Sequence, residues 1–175
     1  MRYNAKVLYV MDGNFSEFET LKQVLDLADE YQFALTLFDI VHSIDRPARL
    51  MITSIPPNDL RDRALRKRLG QLEALISMIN RRSCKLRART SFGNRAREIV
   101  TEATKDNYDL VIKRCEKGSA DKRVFRDCQC PVWVLKPEDY TESGQIIFSN
   151  LPKFASRNEN RTAHTYVHRF SRPEH

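Results

Sequence analysis

Residues 33–41 read FALTLFDIV. Apolar and β-branched side chains fill odd and even positions alike, so both faces of this run are hydrophobic, and nine residues are too few for a buried helix of ordinary length. Such a run fits the middle of a parallel sheet covered by helices on both sides. Towards the N-terminus, residues 5–11 (AKVLYVM) form a second run of the same kind and end at Asp12-Gly13-Asn14, a turn sequence. Between the two, Ser16 and Glu19 make a capping box. Phe18, Leu21, Val24, Leu25, Ala28 and Tyr31 then recur at helical spacing, predicting a helix of about five turns.

Towards the C-terminus, residues 42–58 contain Pro47, Pro56 and Pro57 without firm periodicity and read as a loop. After Asn58, a candidate cap, Leu65, Leu69, Leu72, Ile76 and Ile79 mark one stripe of a long amphipathic helix with arginines on its opposite face. Residues 85–90 alternate polar and apolar and predict an edge strand, where exposed charge discourages pairing with another sheet. Gly93-Asn94 opens a helix with Ala96, Ile99, Val100 and Ala103 facing inward. Residues 108–112 (YDLVI) and 131–135 (PVWVL) are the fourth and fifth strands, with a brief helix between them over 119–126. Strands alternate with helices throughout, which calls for an α/β fold: a five-stranded parallel sheet with helices on both faces and right-handed crossovers. In such folds ligands sit beyond the carboxyl ends of the strands, where the strand order reverses. That edge holds Asp12, Ile40 and residues 113–119.

With 175 residues, 41% hydrophobic, the chain has material for one core and an appendage. No window approaches the roughly 18 apolar residues of a membrane span. The start, MRYNAKVLYVMDG, lacks the apolar stretch and cleavage site of a secretory signal, so the expected location is cytoplasmic. Cys84, Cys115, Cys128 and Cys130 do not make a secreted disulfide framework. Cys128 and Cys130 form a CxC, but zinc sites favour CxxC or Cys/His pairs, so ordinary half-buried thiols are expected and no metal.

Charge is concentrated. Residues 61–97 carry twelve basic side chains against Asp62 and Glu73, a net +10 in a chain whose total is +7. That density would draw a polyanion such as RNA or DNA. The run has neither interleaved aromatics nor a nucleic-acid-binding motif, so a solvated helix face is the simpler expectation.

Three stretches, KVLYVMDGNFSEFETLKQVLDLADEYQFALTLFDIV, GNRAREIVTEATKDNYDLVIKR and GSADKRVFRDCQCPVWVLKP, together resemble the universal stress protein family in order and spacing across residues 3–137. DLVIK followed by CPVWVLKP is most similar to the branch whose members carry two such domains in one chain. The resemblance implies a Rossmann-like domain over residues 1–137 with strand order 3-2-1-4-5, usually a homodimer, serving a stress response. It also implies an ATP site built from an Asp ending the first strand, an apolar adenine contact after the second, and a GxxG, nine-residue, G(S/T) loop after the fourth. Asp12 matches the first position, Ile40 the second, and Gly118-Ser119 the closing G(S/T).

The rest of the loop departs from that pattern. Arg114 and Lys117 stand where the first two glycines belong, and Gly118 follows at once, so the spacer is missing. Glycines let backbone N–H groups approach phosphates, whereas cationic side chains there occupy nucleotide volume. The expected cofactor list is therefore empty, with ATP as the alternative.

The chain has no GxSxG and no HExxH, and His42 is the one histidine of the domain. A non-enzymatic module acting by dimerisation and contacts with other stress-response proteins is expected. The alternatives are an ATP-binding protein with slow ATPase or self-phosphorylation, and a nucleic-acid-associating basic protein. Residues 138–175 read as a polar linker and tail. Within them Gln145-Ile146-Ile147-Phe148 resembles the opening strand of a second domain.

Overall fold

The computed structural model describes residues 5–11, 17–42, 57–79, 84–114 and 120–135. Nine elements follow one another as β1 (Lys6–Val10), α1 (Glu17–Tyr31), β2 (Ala34–Val41), α2 (Pro57–Ile79), β3 (Leu86–Phe92), α3 (Arg95–Lys105), β4 (Leu110–Arg114), α4 (Ala120–Asp127) and β5 (Val132–Leu135). The strands form one sheet in the order β3-β2-β1-β4-β5, every neighbouring pair parallel. The order expected from the family resemblance is the order found.

Alternation along each strand divides the core into two layers. On one face Val7, Tyr9, Leu35, Leu37, Ile112 and Trp133 meet Leu21, Val24, Leu25 and Ala28 of α1 and Leu72 of α2. On the other, Leu8, Val10, Phe38, Ile40, Val111 and Val132 meet Ala96, Ile99 and Ala103 of α3 and Val124 of α4. The central strand β1 is buried from Val7 to Val10, which is why its sequence reads as a continuous apolar run rather than an alternating one. Strand β3 lies at an edge, with Arg87 and Arg89 exposed.

Several details differ from the sequence reading. Helix α2 begins at Pro57, not after Asn58. Proline has no N–H to lose in the first turn and its φ is already helical, so Pro57 starts the helix rather than ending a loop. Strand β4 runs to Arg114, two residues past the predicted end. Tyr108 and Asp109 instead lead into it, the Tyr108 N–H donating to the Ala103 carbonyl. Phe18 and Tyr31, counted on the apolar stripe of α1, sit at its ends and are about half exposed, at 55% and 47%. The capping box at Ser16 and the β-like run at 145–148 lie outside the described residues.

Candidate functional site

The strand order reverses between β1 and β4, so the crevice characteristic of this architecture opens at their carboxyl ends. Three features shape that edge. Met11 continues β1, its N–H donating to the Phe38 carbonyl at 2.8 Å. Arg95, in the first turn of α3 and 8% exposed, reaches across to donate from Nη2 to the Met11 carbonyl at 2.9 Å. Lys113, near the end of β4 and in register with Val10 of β1 and Val134 of β5, is 1% exposed. By alternation it follows Val111 on the α3 and α4 side of the sheet. A buried cation thus stands one residue before Arg114, the position where the family's phosphate loop would begin.

Beside this crevice, at the carboxyl end of β2, lies a cavity of about 420 Å³. One flank of α2 supplies Ala64, Lys67, Arg68 and Gln71, which share a helix face because they stand three, four and seven residues apart. The end of β2 supplies Asp39, Ile40 and Val41, with His42 beyond it, and α3 supplies Arg95. Asp39 is a buried carboxylate, and Arg68 Nε meets its Oδ2 at 2.9 Å. Arg68 is therefore not on the outer face of α2 with the other basic residues, as the helical stripe suggested. It turns towards the sheet because a buried carboxylate left alone would be costly.

Of the sequence-selected site residues, Ile40 is 4% exposed, packs in the layer beneath α3 and also lines the cavity. Asp12, Gly118 and Ser119 lie outside the described residues, as does Lys117. Arg114 is partly exposed at the end of β4. His42 is exposed at the cavity. Sequence reasoning did not single out Asp39, Arg68, Gln71 or Arg95. The available signal was Asp39 itself, an acid in a strand otherwise almost wholly apolar, which must have a partner within reach.

The basic segment is split between uses. Arg68 pairs with Asp39, Arg89 with Glu102 and Asp106 across the α3 side, and the Arg61 guanidinium stands 5.2 Å from the Phe92 ring centroid. Arg63, Arg66 and Lys67 are exposed on α2 and make no ion pair among the described residues. Arg81 and Arg82 lie outside the described residues.

Cys128 is buried and Cys130 partly so. Burial, reinforced by the neighbouring Cys130 and Asp127, pushes the Cys128 thiol up to about 12. Burial and the Asp109 charge push Cys130 up to about 11. Thiols held neutral in this way are poor nucleophiles and poor metal ligands. Among the described residues, no three His, Cys, Asp or Glu side chains are grouped to hold a metal ion, and no helix is long and apolar enough to cross a membrane.

Comparison with known structures returns the same architecture. The universal stress protein UspA from Lactobacillus plantarum superposes with a TM-score of 0.59 at 17% identity, covering 75% of this chain and 97% of that one. A universal stress protein from Archaeoglobus fulgidus in complex with dAMP gives 0.52 at 14% identity, covering 78% and 100%. One from Arabidopsis thaliana with AMP bound gives 0.50 at 15% identity, covering 80% and 98%. At these identities the likeness is one of fold. No curated protein matches the sequence. The sequence pattern of the universal stress protein family matches residues 4–136, from β1 through β5. With that match over three quarters of its length, and with the strand order found here, the chain belongs to the universal stress protein family.

Proposed function

We propose that this universal stress protein is a non-enzymatic stress-response module that acts by contact, with a second copy of itself and with other proteins, and that it does not enclose ATP. The observation carrying this reading is the length of one connection. Five residues, 115–119, separate Arg114 at the end of β4 from Ala120 at the start of α4. The family's phosphate loop needs a nine-residue spacer between its glycine pairs, longer than that whole connection. The buried Lys113 and the bulky Arg114 add side-chain volume where a cradle of backbone N–H groups is needed. The test is incubation with ATP labelled on the γ-phosphate, together with sedimentation equilibrium. Neither phosphate release nor label on the protein should exceed a buffer blank, and the mass should be twice 20.5 kDa. Steady turnover, or a strict monomer that binds no protein, overturns the reading.

A second reading keeps a nucleotide without the enclosing loop, held by Asp12, Ile40 and Gly118-Ser119. It is favoured by the open cavity that Ile40 lines, and by the AMP and dAMP in the two family structures above. Adenine-dependent binding abolished by Ser119→Asp would support it over the first.

A further inference from the structure

Strand β3 ends the sheet, and among the described residues no strand pairs with its outer side. Which of its backbone groups face outward follows from alternation. The Lys85 carbonyl accepts the Leu35 N–H at 2.8 Å, and the Gly93 N–H donates to the Val41 carbonyl at 3.1 Å. Odd-numbered residues from 85 to 93 therefore turn their backbone towards β2. Leu86, Ala88 and Thr90 turn theirs, N–H and carbonyl together, away from the sheet. An edge of seven residues offers a template on which another chain can pair.

The two sides that flank this edge are unlike. On the α3 side stand Lys85, Arg87 and Arg89, all exposed. Arg89 is shared with Glu102 and Asp106, at 3.9 and 3.6 Å, whereas Lys85 and Arg87 make no ion pair among the described residues. On the other side Leu86 and Ala88 pack beneath α2, which lies chiefly over β3. One flank of α2, with Lys67, Arg68 and Gln71, faces the cavity at the end of β2. Leu65 and Leu69 lie on the opposite flank, towards the free edge, partly exposed and outside the core layer.

A strand laid on this edge would meet cations with one set of alternate side chains and apolar surface with the other. A second copy joined through the same edge would set arginine against arginine, so the charge that deters self-pairing selects an acidic strand. A nucleic acid fits less well. Its phosphates would leave the outward N–H groups and carbonyls of β3 unmatched, and on the exposed face of α2 Asp59, Asp62 and Glu73 offset Arg63, Arg66 and Lys67.

We infer that the free edge of β3 binds an extended segment of another protein, one that alternates acidic and apolar residues, and takes it up as a sixth strand. The inference rests on the contact function proposed above and names the chemistry of the partner.

Fluorescence anisotropy on the full chain, with a labelled and capped heptapeptide alternating glutamate and valine, tests it. The peptide should bind saturably, one per chain. Two relatives should bind about tenfold more weakly or worse: one with its glutamates and valines in separate blocks, and an N-methylated one that cannot donate backbone hydrogen bonds. Arg87→Glu should weaken the alternating peptide by about tenfold, since a cross-strand attraction becomes a repulsion. Lys122→Glu, an exposed change on α4, should leave binding unchanged, and a thermal melt of each variant checks that it folds. In amide exchange, the bound peptide should slow the Ala88 and Thr90 N–H groups more than those of Arg87 and Arg89, which already face β2. The inference is overturned by absence of saturable binding, by equal affinity for the blocked or N-methylated peptide, or by wild-type affinity in Arg87→Glu. A protein that dimerises and is inert towards ATP yet binds no such peptide overturns this inference alone and leaves the contact function in place.

Discussion

Asp39 is the residue on which the carboxyl edge of β2 turns. Its neighbours in the strand are apolar, its side chain is buried, and Arg68 meets it from a helix 29 positions on. Removing the arginine leaves a carboxylate whose side chain is only 7% exposed without its ion pair. Arg68→Ala should therefore lower stability in urea titration by about 1–2 kcal/mol, less than a fully buried pair because Arg68 is 42% exposed. Asp39→Asn with Arg68→Ala should recover part of that loss, since the buried carboxylate is then uncharged. A second prediction at this scale concerns the CxC thiols. Their folded pKa values, about 12 for Cys128 and about 11 for Cys130, lie above the ordinary 9.0. The stability they contribute is complete below the unfolded value and is lost as pH rises from about 9 towards 11 and 12. In a Cys84→Ser, Cys115→Ser background at pH 8, a thiol reagent should label the folded protein about a hundredfold more slowly than the urea-unfolded chain. Equal rates would show that the two thiols are accessible and ionisable in the fold.

The elements were legible where periodicity and capping agreed. Asn94 was read as the opening of α3, and its side chain does accept the Arg97 N–H at 3.2 Å. Gly93 precedes it with φ 148, a region open to glycine, and a Cβ there would stand 3.1 Å from Glu98 Oε1. Asn94→Ala should cost about 1 kcal/mol of unfolding free energy. Helix α2 gives the opposite sign. Gly70 lies inside it, and a Cβ added there would meet nothing within 4 Å. Gly70→Ala should thus raise stability by about 0.5–1 kcal/mol, the propensity difference alone. The arginines of α2 were less legible. A helical stripe separates apolar from polar positions, but it does not say which cation on the boundary will be drawn inward by an acid on another element. The exact ends of β4 and α2 were missed for a related reason: Arg114 is polar yet paired in the sheet, and Pro57 is a breaker in most contexts but a starter in the first turn.

At the scale of the molecule, two apolar runs, residues 5–11 and 33–41, with a helical segment between them were enough to demand a parallel sheet, and the family resemblance supplied its order. The layers then follow from alternation, as Tyr9 and Leu37 go to one core and Val10 and Phe38 to the other. The candidate site was legible only in part. Ile40, taken from the family resemblance, lies near the carboxyl end of β2 and lines the cavity, whereas the cavity itself depends on how a helix settles over the sheet, a tertiary outcome that no local motif encodes. The central claim is that the connection between β4 and α4 is too short, and its entrance too crowded by Lys113 and Arg114, to enclose a triphosphate. Calorimetric titration of the full chain with ATP and magnesium addresses it directly. The account predicts no saturable binding of ATP in the micromolar range, while saturation at one ATP per chain, lost in Ser119→Asp, would contradict it.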